Sequence, residues 1–201
     1  MNRILRYLAP LAFVVFALPA FAQEIPLSEI SRYLNALTTA EASFTQRNAD
    51  GSISSGKLYI HRPGRMRFEY DPPNKSLVIA GGSAVAIFDP KSNQPPEQYP
   101  LARTPLNLIL APVIDLGQAK MVVAHSTLGS DTTVTAEDPQ HPENGTITLI
   151  FSPNPTALRQ WIITDATGSK TVVELSAFQQ GMQLGDSLFD IQSETAKRVG
   201  R

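Results

Sequence analysis

A long succession of period-two segments, each closed by a turn dipeptide, constrains this 201-residue chain more than any other feature. Met66, Phe68 and Tyr70 alternate with Arg65, Arg67 and Glu69, the cleanest amphipathic strand in the sequence. In residues 56–62, Leu58, Ile60 and Arg62 share one face, Lys57, Tyr59 and His61 share the other, and Pro63-Gly64 then turns the chain. The same pattern marks 42–48 before Asp50-Gly51, and a hairpin at 77–80 and 84–88 about Gly81-Gly82. It returns at 120–126, 131–137, 146–152, 158–165 and 171–179, with Asn144-Gly145 and Gly168 at turns. Trp161 and Ile163 share a face of their strand, as Val173 and Leu175 do on the next. Serial hairpins of this kind predict a mainly β fold, an antiparallel sheet of about ten strands, curled and partly covered by helices. Sixteen prolines and twelve glycines match that many chain reversals.

Two short segments break the alternation. Leu27, Ile30, Leu34 and Leu37 form one apolar stripe on a helix of about three turns. Pro26 or Ser28 opens it and Thr38-Thr39 ends it. Later, Thr104 is placed to cap a helix with Pro105 in its first position, followed by Leu106, Leu108, Ile109 and Leu110 and stopped by Pro112. That segment is apolar nearly all round, which is unusual for an element facing water. Residues 91–100, with Pro95, Pro96 and Pro100, read as a loop.

The amino terminus reads as an address. Arg3 and Arg6 precede an apolar run at 8–18, and Ala20-Phe21-Ala22 follows it, the layout of a secretory signal peptide. The run is shorter than the about 20 residues a membrane span needs. Cleavage after Ala22 is expected to leave residues 23–201 as one exported, soluble domain with 15 basic against 18 acidic residues, a formal charge of −3. So small a charge of that sign argues against a nucleic-acid binder. The absence of cysteine excludes disulfides, thiolate metal sites, cysteine nucleophiles and a lipid anchor on a mature amino-terminal cysteine.

Signs of catalysis are few. His61, His125 and His141 lie in separate segments, none at metal-ligand spacing, and each reads as a surface histidine. No nucleophile elbow, zincin motif, phosphate loop or dinucleotide fingerprint is present. Asp89 and Asp165 end strands just before turns, where aspartate serves the backbone. No cofactor, metal or catalytic residue is therefore expected.

Arg62 stands apart, since alternation aims its guanidinium to the apolar side of the sheet with Leu58 and Ile60. Either periodicity lapses near Pro63 and the side chain turns to solvent, or it sits at the mouth of an apolar cavity and bonds the carbonyls or carboxylates of whatever covers it. A buried arginine without partners costs several kcal/mol, so any state that buries it must supply them.

In order along the chain, several segments resemble the outer-membrane lipoprotein carrier family of periplasmic chaperones. They are Ala42-Ser43-Phe44-Thr45-Gln46; the block from Gly56 through Arg62-Pro63-Gly64 and Met66-Arg67-Phe68 to Tyr70 and Pro73; Val78-Ile79 with Gly81-Gly82; and Ile87-Phe88-Asp89-Pro90. Thr104-Pro105-Leu106 with Leu108-Ile109-Leu110, Trp161 with Ile163, Asp165 and Gly168, and Leu188-Phe189 complete the series. The resemblance implies an unclosed antiparallel β-barrel with an α-helical lid over a hydrophobic cavity for lipoprotein acyl chains. It implies a monomer in the periplasm that takes cargo from an inner-membrane ABC transporter complex and hands it to an outer-membrane receptor. Arg62 matches the family arginine that bonds the lid when closed, and Phe68 and Tyr70 match wall aromatics. Leu58, Ile60, Met66, Ile79, Leu106, Ile109, Leu110, Trp161 and Ile163 are then expected to line the cavity or its lid. Many members carry an aromatic where this chain has Ala86, which implies a less bulky wall.

Elementary energetics suit that role. At ~0.8 kcal/mol per methylene, burying one sixteen-carbon chain gains on the order of 12 kcal/mol. Several chains would exceed the practical affinity ceiling near ~20 kcal/mol, so an opposing cost such as opening a lid must keep cargo releasable. Rival readings are a lipid-sensing regulator of similar shape, which usually adds a second domain, the lipid-anchored acceptor of the same pathway, which needs an amino-terminal cysteine, and a secreted hydrolase with a site assembled from distant residues.

Overall fold

The computed structural model describes residues 23–92, 94–118 and 120–199. The expected leader, residues 1–22, lies outside them. After α1 (Leu27–Ala36) the chain makes six strands, β1 (Thr39–Arg47), β2 (Ile53–His61), β3 (Arg65–Tyr70), β4 (Leu77–Gly81), β5 (Ala84–Phe88) and β6 (Glu97–Pro100). A 3-10 turn (Leu101–Arg103) and α2 (Leu106–Leu110) precede β7 (Val122–Leu128), β8 (Asp131–Glu137), β9 (Thr146–Ser152), β10 (Ala157–Thr164) and β11 (Lys170–Gln180). A second such turn precedes β9, and a third (Asp186–Phe189) leads into α3 (Ile191–Val199).

All eleven strands form one antiparallel sheet in the order β6-β5-β4-β3-β2-β1-β11-β10-β9-β8-β7. Every neighbour except β1–β11 is a sequential hairpin, as the serial alternation predicts. The terminal strands β6 and β7 do not pair, so the barrel stays open. Its curl can be gauged from Phe68 on β3 and Trp161 on β10, four strand positions apart. On a flat sheet they would lie about 19 Å from each other. Their ring centroids are 6.3 Å apart, edge to face, because the two halves of the sheet curve toward one another.

The concave face carries the main core. Phe44, Leu58, Ile60, Met66, Phe68, Leu149, Trp161 and Val173 meet there beneath Ile30 and Leu34 of α1 and Ile109 and Leu110 of α2. Leu58, Met66 and Trp161 are 0%, 1% and 1% exposed, so no water-sized space touches them. The interior is filled by the protein's own side chains.

Three expectations need correction. Residues 97–100 of the expected loop form β6, paired with β5 from Ile87 to Ala84. Proline is compatible with a strand at an edge, where one side needs no ladder. Thr104 does not cap α2; its hydroxyl donates to the Leu101 carbonyl (2.8 Å), while Pro105 already has helical dihedrals (φ −60°, ψ −20°). A third helix, α3, adds to the two expected. It helps cover the convex face of β4 and β5, where Leu77, Ile79, Ala86 and Phe88 pack with Phe189, Leu184, Leu188 and Ile191. No helix among the described residues is long and apolar enough to cross a membrane.

Candidate functional site

The second reading of Arg62 is the observed one. Its backbone N–H donates to the Thr38 carbonyl (2.7 Å), and its side chain turns inward until the residue is 8% exposed. One guanidinium nitrogen donates to the Leu34 carbonyl in the last turn of α1, and the other to the Ala111 carbonyl just past α2 (2.6 Å). Carbonyls at helix ends have no partner within the helix and carry the negative end of its dipole. Arg62 thus sits where two helix carboxy-termini converge. Burial pulls its pKa below the ordinary arginine value, yet a guanidinium keeps its proton in proteins. The adjoining Gly64 N–H donates to the Leu110 carbonyl (2.9 Å), so the β2–β3 turn holds the end of α2 twice.

A second set of bonds joins α1 to the segment after α2. The Asn35 amide nitrogen donates to the Ile114 carbonyl (2.7 Å), and its oxygen accepts from the Ile114 N–H (2.9 Å), so one side chain pairs like a piece of strand. Ser31 Oγ accepts from the Leu116 N–H (3.0 Å) and donates to the Leu27 carbonyl (2.8 Å). Every bond in this stitching involves backbone of the cover, and none lies within the sheet. The cover can therefore part without breaking a ladder.

Below it lies an aromatic wall. Phe44 stands edge-on to Phe68 (5.3 Å between centroids) and to Tyr70 (5.0 Å). The Tyr70 hydroxyl donates to Gln46 Oε1 (2.7 Å). Burial pushes the Tyr70 pKa up to about 12 from 10.0, the bond to Gln46 working weakly the other way. Between those values the unfolded chain loses this proton and the folded chain keeps it. Stability is thus full below pH 10 and falls as pH rises toward 12, by up to ~3 kcal/mol from this group. Tyr70→Phe is expected to lose that part of the alkaline sensitivity, read as a smaller shift in urea midpoint between pH 9 and 11 than the parent shows.

Of the expected site residues, Leu58, Ile60, Met66, Phe68 and Trp161 are buried on the concave face, Tyr70 and Ile163 pack at its margin, and Leu106, Ile109 and Leu110 close it from α2. Ile79 does not belong. Met66 pairs with Ala80 and Phe68 with Val78, so the inward residues of β4 are Ala80 and Val78. Ile79 is opposite outward-facing Arg67 and packs under the carboxy-terminal segment. Ala86 pairs with Ile79 and shares that convex cluster, so it forms no part of the inner wall.

Two histidines are also less exposed than expected. His61 is partly buried, edge-on to Phe189 (5.7 Å) with Asp186 3.7 Å away, and His125 Nε2 donates to the Ile25 carbonyl (3.1 Å). His141 is exposed, as expected. Sequence reasoning missed Phe44 as a wall residue, although it alternates inward with Ala40 and Ala42. It also missed Asn35 and Ser31, whose partners lie 79 and 85 residues away and leave no local signal.

Residues 35–192 match the profile of the family described as outer membrane lipoprotein carrier protein LolA. The chain belongs to the outer membrane lipoprotein carrier family. An outer-membrane lipoprotein carrier protein of Coxiella burnetii is 33% identical over 129 residues, 59% of this chain and 61% of the relative. Another from Xanthomonas campestris is 37% identical over 99 residues, 47% of this chain and 46% of the relative. The chain therefore spans less than two thirds of these carrier proteins. Among solved structures it is similar to a LolA superfamily protein from Nitrosomonas europaea, at TM-score 0.45 and 10% identity over 83% of this chain and 98% of that one. The assignment to the carrier family rests on the sequence match and not on likeness at that level.

Proposed function

We propose that this protein is a periplasmic chaperone that accepts the acyl chains of lipoproteins released from the inner membrane and delivers them to the outer membrane. The observation that carries this reading is an apolar concave face closed by a cover whose fastenings converge on one buried arginine. Acyl chains would replace cover side chains against Phe44, Phe68, Tyr70 and Trp161, and the lost Arg62 bonds would oppose their burial. That opposition matters because burial of chains alone would be too favourable for transfer. The donor would be an inner-membrane ABC transporter complex and the acceptor an outer-membrane receptor, with the carrier a monomer once residues 1–22 are removed. The reading assigns no catalytic step, cofactor or metal.

Mass spectrometry of the native protein from a periplasmic extract tests it. Co-purified triacylated lipoprotein is expected, and a protein that arrives without acylated cargo from cells overproducing it would defeat the reading. The stitching gives a further prediction. Asn35→Ala removes the paired amide at Ile114 while leaving Arg62 intact. Two hydrogen bonds of ~1 kcal/mol each favour the closed cover, so the variant is expected to take up a fluorescent fatty acid up to about thirtyfold faster. Unchanged uptake would show that the cover opens elsewhere.

A further inference from the structure

At the end of the sheet away from Arg62, the strands open into a groove of ≈ 550 Å³, a usual size for a ligand site. It is lined by amides and hydroxyls, including Asn48, Ser52, Ser54 and Asn74, with the carboxylates of Asp71 and Asp89 and the ammonium of Lys91. The groove begins where the aromatic wall stops. The Tyr70 N–H donates to the Ser76 carbonyl (3.0 Å) and the Asp71 N–H to the Ser55 carbonyl (2.9 Å), which places the groove floor one residue beyond the partly buried Tyr70.

A hydrogen-bond chain connects the two regions. The Tyr70 hydroxyl donates to Gln46 (2.7 Å), the Gln46 amide to Asn48 (2.7 Å), the Asn48 amide to Ser52 (2.9 Å), and the Ser52 hydroxyl to Asp50 (2.6 Å). Apolar wall thus passes into polar groove with no break, a profile that fits a ligand with an apolar tail and a polar head. The opposite end offers no such outlet, since α1 and residues 111–116 are bonded across it.

We propose that this groove seats the polypeptide next to the acylated residue of the cargo. The inference rests on the carrier reading and adds a direction: the tails lie against the aromatic wall and the protein part leaves between the β1–β2 turn and the β3–β4 turn. Amides and hydroxyls can pair with peptide N–H and C=O groups as they come. Asp71 and Asp89 outnumber Lys91, which disfavours a phosphate head carrying the same tails. Tails alone cannot separate a lipoprotein from a phospholipid, so selection must fall on the head.

Photo-crosslinking tests the direction. Ile53 lines the groove and is 61% exposed, whereas Val113 lies in the cover at the Arg62 end and is 76% exposed. Either position should accept p-benzoylphenylalanine without loss of fold. The probe is a synthetic diacylated lipopeptide with a short uncharged peptide, its uptake followed by displacement of a fluorescent fatty acid and its adducts by mass spectrometry. With displacement intact, the adduct at position 53 is expected to exceed that at 113 by about tenfold and to map to the peptide. An adduct at 113 equal to or above that at 53, or none at either position, overturns the groove as the peptide seat and leaves the carrier reading standing. A lipopeptide that fails to displace the dye from the unmodified chain defeats the carrier reading, and the groove proposal with it.

Discussion

On the carrier reading proposed above, Arg62→Leu is expected to take up acylated cargo at least as fast as the parent and to pass it to an acceptor at least about tenfold more slowly. In the closed state the guanidinium donates to Leu34 and Ala111, two charge-assisted bonds of ~1.5–3 kcal/mol each. Release requires the cover to return, and re-forming those bonds favours that return. Losing even ~1.4 kcal/mol of this preference lowers the closed-to-open ratio tenfold. Leucine fills much of the same space and removes the burden of burying a charge, so unfolding free energy should change far less than transfer does. Arg62→Lys keeps the charge but cannot span two carbonyls with a rigid fork, and should fall between. An acceptor-transfer assay with labelled cargo measures the rates. Parental release by Arg62→Leu would remove Arg62 from the release step.

Gly56→Val should damage the fold itself. Gly56 lies on β2 between Phe44 of β1 and Tyr70 of β3. A Cβ at this position would collide with the Glu69 carbonyl and stand 2.9 Å from the Phe44 ring. The carbonyl belongs to a central ladder and cannot retreat without breaking pairing on both sides. A cost of at least ~3 kcal/mol is expected, a fall in Tm of about 6–12 °C for a chain of this size. Gly64→Ala provides the contrast. At φ +72° it has strain but open space around it, and should cost only about 1 kcal/mol. Equal melting of Gly56→Val and the parent would mean that the Phe44–Gly56–Tyr70 row is not built as described.

What could be read from the chain varied with how local its cause was. Strand existence and the inward set of β3 followed from alternation, because Met66, Phe68 and Tyr70 face the core and charged residues face out. The 84–88, 131–137 and 146–152 strands match their expected bounds. β4 gives no such signal, since Leu77–Gly81 is apolar on both faces and carries no period. Its outer face is apolar because the segment from Leu184 to Ile191 covers it, and that cover arrives from more than a hundred residues away. Pattern alone therefore does not keep Ile79 and Ala86 out of the wall. Only the register of β4 against β3 shows them facing outward.

The sequence by itself determined that this protein is one run of hairpins with two short apolar helices and few signs of catalysis. Period-two patterning and turn residues act over a few positions, so they survive in a linear reading. Where Arg62 points was decided only in three dimensions. Alternation offered a choice between solvent and core, and the choice depends on whether acceptors exist at the core side. They do, because α1 and α2 bring two helix-end carbonyls to the same place, and neither is a neighbour of Arg62 in the chain.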